Sequence, residues 1–313
     1  MKGLEISKAF YLEYGKNLIK KDFPDIEKYL AFGLVGAGSE CFGFDDEISR
    51  DHDFEPGFCI FIPDEDIIDR TTAFRLERAY ASLPGEFMGI EKSSLAAVGG
   101  ARHGVIRISD FYSSKVGSPN GSLTTDAWLS LPDYALAEAT NGEVFEDNYG
   151  LFSNIREYLL DMPRDVRLKK LAGNLLIMAQ SGQYNYPRCV SRGETGAAQL
   201  AVFEFVKSTM QVAFILSERY MPYYKWSFRA FRELPVLAGI SDSLEFLVSS
   251  DNDKPTSEIK AQIIEDIAGL VIDELRSRDL TEATCGDLEK HAYSVEDRIT
   301  DADIRTRHIL AAV

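Results

Sequence analysis

The chain has 313 residues, 45% of them hydrophobic, and carries 34 Lys and Arg against 50 Asp and Glu for a formal charge of −16. That hydrophobic fraction excludes a disordered chain, and the length gives room for two domains. The negative balance repels polyphosphate backbones, which argues against long nucleic acid as a substrate.

A cationic small molecule or a basic surface would be drawn at long range, although solubility alone is a sufficient reason for acidity. Cys41, Cys59, Cys189 and Cys285 have no paired spacing of the zinc or disulfide kind, and His52, His103, His291 and His308 form no sequence cluster. The first fifteen residues carry Glu5 and Glu13 among apolar positions, unlike a signal peptide. The apolar stretch 197–216 is interrupted by Glu204 and Lys207, so it reads as a buried or amphipathic helix and not as a membrane span. A cytoplasmic protein without a membrane partner is expected.

Residues 4–20 set Ile6, Phe10, Tyr14 and Leu18 four apart, the spacing of one apolar helix face. A short helix over 24–30 follows. Residues 32–35 and 58–62 are apolar runs rich in strand formers, and 64–83 is charged and periodic until Pro84-Gly85 stops it. Residues 103–109 predict a further strand through Val105, Ile106 and Ile108.

Beyond Gly150 the pattern changes to helices over 151–161, 164–182, 193–220, 222–233, 256–277 and 295–312, with a polar loop at 249–257. The expected class is α+β: a mixed sheet with helices over 1–150, then an all-α bundle over 151–313.

The informative segment runs from Gly33 to Phe54. A strand leads into Gly38-Ser39, and Asp51-His52-Asp53 follows after a short helix or loop. Alternate residues of a strand share a face, so Asp51 and Asp53 would present two carboxylates side by side, with His52 on the opposite face in a structural hydrogen bond. Paired carboxylates repel unless a cation stands between them, and magnesium takes oxygen ligands of this kind together with substrate phosphates. Gly38 lets the backbone approach a phosphate, and the Ser39 hydroxyl can donate to it. Alone, an Asp-rich stretch is most often a solvated turn. A dinucleotide fingerprint over Gly36-Ala37-Gly38 fails at Cys41, where glycine or alanine is required.

A Gly-Ser turn followed by Asp-x-Asp resembles the signature of the polymerase-β-like nucleotidyltransferases, a superfamily that includes aminoglycoside nucleotidyltransferases. The fuller string, Gly38-Ser39-Glu40-Cys41 with Phe44-Asp45-Asp46 and Ser49-Arg50-Asp51-His52-Asp53, resembles the uncharacterised bacterial family labelled domain of unknown function 4037. Further strings carry that resemblance along most of the chain: Leu123-Thr124 with Trp128-Leu129, Gly142-Glu143-Val144-Phe145, Arg192-Gly193-Glu194, residues 220–226, and Arg307-His308-Ile309.

The resemblance implies transfer of a nucleoside monophosphate from a triphosphate, ATP above all, to a hydroxyl. Asp51 and Asp53 would hold one or two magnesium ions, Gly38 and Ser39 the phosphates, and Lys225 would reach the triphosphate from the helical domain. As a lysine among Tyr223, Tyr224 and Trp226 it could equally be a packed side chain with its head in solvent.

The third acid common in the superfamily is missing from the strand 103–109, whose middle positions are Ile106 and Arg107; Asp110 stands at its end, where it could cap a helix. By analogy Glu194 is the expected base, although a helix-start glutamate is also favoured by the dipole alone. The loop Tyr184-Asn185-Tyr186-Pro187 and Arg188 could line an acceptor pocket. The acceptor implied is a small, aminoglycoside-like hydroxyl compound or a protein. The alternatives are a non-catalytic nucleotide-binding or antitoxin-like interaction protein that keeps the fold, and a hydrolase or phosphotransferase using the same metal pair.

Overall fold

The computed structural model describes residues 1–50, 55–91 and 103–313 and divides the chain into two units, 1–123 with 134–161, and 124–133 with 162–313. The first unit opens on α1 (Gly3–Phe10), a π-type turn over Tyr11–Gly15 and α2 (Lys16–Asp22). The expected helix over 24–30 is only a 3-10 turn at Glu27–Tyr29. Next come β1 (Ala31–Leu34), β2 (Cys59–Ile62) and α3 (Arg70–Ala81). Helix α3 starts later than the charge periodicity suggests because the Asp69 carboxylate caps it, accepting from the Thr72 N–H.

A small hairpin of β3 (Glu86–Phe87) and β4 (Ile90–Glu91) precedes β5 (Gly104–Arg107) and α4 (Ile108–Val116). Ile108 thus begins a helix instead of ending a strand. After α5 (Thr125–Ser130), which belongs to the second unit, α6 (Asp133–Thr140), β6 (Glu143–Asp147) and α7 (Leu151–Leu160) complete the first.

Four strands form one mixed sheet in the order β5-β2-β1-β6, with β1 antiparallel to both neighbours and β2 parallel to β5. Alternation along β2 sends Ile60 and Ile62, in line with Phe58, into a core with Ile6, Phe10, Tyr11, Leu76 and Tyr80. Phe61 points the other way, its ring stacked 4.1 Å from Phe152 and edge-on to Phe111. Both faces of the sheet are therefore covered, which is why β2 is apolar throughout.

The second unit is helical: α8 (Arg164–Met178) runs through a π-type turn at Ala179–Asn185 into α9 (Tyr186–Ser191). It continues with α10 (Thr195–Leu216), α11 (Tyr224–Phe231), α12 (Ser241–Ser249), α13 (Lys254–Ser277), α14 (Leu288–Glu296) and α15 (Ala302–Arg305). Helix α10 is long and apolar enough to span a membrane by composition, with mean hydropathy 1.3, yet most of that window is buried against its own unit. Helix α8 packs on α10 and α14 and is buried nearly all round.

Two of its buried residues are lysines, each with an anionic partner: Lys169 donates to Glu296 and to the Arg307 carbonyl, and Lys170 to Asp133 and the Leu131 carbonyl. The helix expected over 295–312 does not form. The Asp165 carboxylate takes the Thr300 N–H and hydroxyl and the Asp301 N–H, turning the chain there, and Asp301 then caps α15. Burial pushes the Asp165 carboxyl up, but these donors outweigh it and hold it below the usual carboxylate range. Pro255, within the polar stretch expected as a loop, lies in the first turn of α13 behind the Asp253 cap.

Candidate functional site

Strand β1 runs out into the turn that holds Gly36, Gly38 and Ser39. Gly38 has φ +130°, a conformation closed to ordinary L-residues, and the space a Cβ would need is filled by the Glu40 carboxylate, whose Oε1 would be 2.4 Å away. Glu40 begins a 3-10 turn, Glu40–Phe42, and is buried; Ser39 Oγ donates to its Oε2 at 3.4 Å. The turn therefore already holds an anionic group against its glycine.

Two side chains and one backbone bond from around the start of β6 fix this turn. The Asn141 amide accepts from the Gly36 N–H and donates to the Gly36 carbonyl, both at 2.8 Å. The Arg156 guanidinium in turn donates to the Asn141 and Gly142 carbonyls. Gly142 N–H reaches the Cys41 carbonyl at 2.8 Å, closing the loop from below. Beside Gly36 lies Lys115, near the end of α4, with its Nζ 2.6 Å from the Glu138 carboxylate.

The described residues on either side of 51–54 are held by partners from elsewhere in the first unit. Ahead of them, Asp45 is buried and accepts from the Gly3 N–H at 2.9 Å, with the Lys2 ammonium 3.7 Å from its other oxygen. Asp46 accepts from the Ile48 and Ser49 N–H groups. Behind them, Ser7 Oγ donates to the Gly57 carbonyl at 2.6 Å, and the buried His103 Nδ1 stands 3.5 Å from Glu55 Oε1. Glu40, Glu55 and His103 line a cavity of about 10 Å³, room for roughly one water molecule. Asp51, His52 and Asp53 lie outside the described residues.

Residues 128–227 match the family model described as Domain of unknown function (DUF4037). The match spans 100 of the 313 residues and runs from Trp128 in α5 to Ser227 in α11. It takes in Asn141 and Arg156, which hold the turn, along with Glu138, Glu194 and Lys225, but not Gly38-Ser39 or Asp51-His52-Asp53. Comparison with the curated proteins and with the solved structures returned no match.

In the second unit Glu194 precedes α10, exposed, and its side chain makes no capping bond. Lys225 is exposed in the first turn of α11, with its ammonium 5.0 Å from the Trp226 ring centroid. Tyr184 lines a cavity of about 560 Å³ with Gln180, Gln183, Glu265, Asp287 and Glu289. The Arg188 guanidinium lies 4.3 Å from the Tyr184 ring centroid. Tyr186 is buried instead of lining a pocket; burial pushes its phenol up to about 12, and its hydroxyl donates to Asn252. Asp110 sits in the first turn of α4, not on β5, and Arg107 on β5 is tied to the Pro63 and Ile68 carbonyls.

The residues that sequence reading missed are Lys115, Asn141, Arg156 and His103. Asn141-Gly142 was the available signal, because that dipeptide marks a turn. Nothing in one sequence pairs an asparagine with a glycine 105 positions earlier.

Proposed function

We propose that this chain is a nucleotidyltransferase that moves a nucleoside monophosphate from a triphosphate to the hydroxyl of a small acceptor. The observation that carries the reading is the glycine turn at the end of β1, where Gly38 already lies against a carboxylate, followed in sequence by Asp51-x-Asp53 ahead of β2. A mixed sheet in which β2 lies between an antiparallel β1 and a parallel β5 suits a nucleotidyltransferase-type arrangement.

In this account Gly38 and Ser39 receive the terminal phosphates as Glu40 turns aside, and the backbone held by Asn141 needs no rearrangement to do so. The acceptor hydroxyl attacks the α-phosphorus in line, its proton passes to a general base, and pyrophosphate leaves. The hard oxygens of Asp51 and Asp53 fit magnesium, which when bound would neutralise phosphate charge. The acidic balance of the chain, 50 Asp and Glu against 34 Lys and Arg, favours a cationic hydroxyl compound as the acceptor.

A second reading has one observation in its favour. Strand β5 carries Arg107, engaged with two carbonyls, and no carboxylate among its four residues. A protein that binds triphosphate without turnover, and acts through another chain, would need none.

The test is incubation of the full chain with magnesium, labelled triphosphates and a mixture of hydroxyl-bearing acceptors, followed by mass analysis of products. Wild type is expected to form a nucleotidylated acceptor and release pyrophosphate. Asp51→Asn with Asp53→Asn should lower the rate by roughly three orders of magnitude, the size of a lost metal-ligand interaction of about 4 kcal/mol in the transition state. Equal transfer by the two proteins overturns the assignment, and binding without any adduct selects the second reading.

A further inference from the structure

The turn needs a cation if it is to hold a triphosphate in a chain with a formal charge of −16. Lys225 is the cation that the resemblance implies, and it stands exposed in the helical unit with its ammonium over Trp226. Within the first unit a different lysine lies against the turn itself. A Cβ built on Gly36 would be 3.8 Å from Lys115 Cε and 4.0 Å from Lys115 Nζ. Gly36 is two residues before Gly38, so the two glycines are separated by about 7 Å at most.

We propose that Lys115 binds the phosphates at this turn and that Glu138 is its resting partner. The inference rests on the nucleotide reading above. Three features support it. First, Lys115 and Glu138 have side chains 19% and 24% exposed, so the ammonium is sheltered but can still reach a ligand. Second, among the described residues, the cations bonded to the turn and the loop after it are engaged with structural groups: Arg156 with the Asn141 and Gly142 carbonyls, Lys2 with Asp45. Third, Glu138 on α6 is three residues before Asn141, whose amide fixes the Gly36 peptide. One segment therefore positions both the backbone of the turn and the lysine beside it.

The chemistry is an exchange of anions. A single carboxylate holds Lys115 in the absence of ligand, and a triphosphate, with several times the charge, competes for it. The flexible four-carbon stem of lysine lets the ammonium swing between the two without backbone movement. Glu138 thereby keeps the cation sheltered and in place when no nucleotide is bound.

The experiment titrates wild type, Lys115→Met, Lys115→Arg and Glu138→Gln with magnesium and each of ATP, GTP, CTP and UTP, following heat of binding, with melting temperature recorded for each protein. Lys115→Met is expected to weaken the tightest nucleotide by about 10- to 100-fold, the size of a lost charge-assisted bond to phosphate. Lys115→Arg should retain most of the affinity. Glu138→Gln should bind as tightly as wild type or tighter, because the competing carboxylate is gone. If the pair only braces the turn, Glu138→Gln weakens binding in parallel with Lys115→Met, and the proposal is overturned. A folded Lys115→Met that binds like wild type also overturns it while leaving the nucleotide reading intact. No binding of any triphosphate by wild type removes both.

Discussion

Gly142→Ala is expected to cost the first unit about 3–5 kcal/mol of stability, read as a lower urea midpoint than wild type. Gly142 has φ +66°, and a Cβ there would stand 2.0 Å from the Leu34 carbonyl oxygen and 3.0 Å from Val35 Cα. Both obstacles are backbone, so neither can turn aside as a side chain would. Relief requires β6 to move off β1, which disturbs the Leu34–Glu143 pairing and the Gly142 bond to Cys41. Gly117→Ala is the matched control. Gly117 has φ +72° with nothing within 4 Å of its Cβ position, so only the conformational penalty of about 1–2 kcal/mol should appear. Equal losses from the two substitutions would mean that Gly142 does not lock the strands together.

Asp133→Ala should destabilise the second unit by a similar amount, about 3–5 kcal/mol, because it leaves a buried ammonium with one carbonyl as its partner. Lys170 and Asp133 have side chains only 6% and 5% exposed, and their atoms are 3.0 Å apart. Removing the carboxylate leaves Lys170 facing the Leu131 oxygen at 3.2 Å. Asp133→Asn keeps an acceptor and should cost less. Replacing both residues by apolar ones of similar volume, Lys170→Met with Asp133→Leu, should recover most of the loss, since no charge is then stranded. An Asp133→Ala protein within about 1 kcal/mol of wild type would show that water still reaches the pair.

These two sites mark the edge of what a single sequence discloses. The helix at 3–22, strands β1, β2 and β5 and most helices after Gly150 were legible because apolar spacing reports which face is buried. Strand β6 lacks such spacing because Glu143, Glu146 and Asp147 are charged; Glu146 accepts from Tyr11 and Lys16. The Lys16 hydrogen bond, aided by Tyr11, holds the Glu146 carboxyl below its ordinary value. Nothing in the local sequence marks Lys169 and Lys170 for burial, which depends on Glu296 and Asp133, one of them 127 residues away.

The candidate site divides in the same way. Gly38 and Ser39 were visible as a local turn, and the turn has the backbone that glycine permits. Its surroundings are assembled from distant residues: Asn141 after α6 and Arg156 on α7, which hold it, and Lys115 on α4, which lies beside it. Two of those three fall within the stretch matched by the family model, whereas Gly38 and Ser39 do not. Support for the turn therefore comes partly from the matched region.

The central claim is that a triphosphate binds at the glycine turn with Asp51 and Asp53 as its metal ligands. A crystal structure with magnesium and a non-hydrolysable ATP analogue tests it directly. The terminal phosphates should lie against Gly38 and Ser39, with magnesium held by both aspartates. A nucleotide seated away from the turn, or one whose metal touches neither Asp51 nor Asp53, would contradict it.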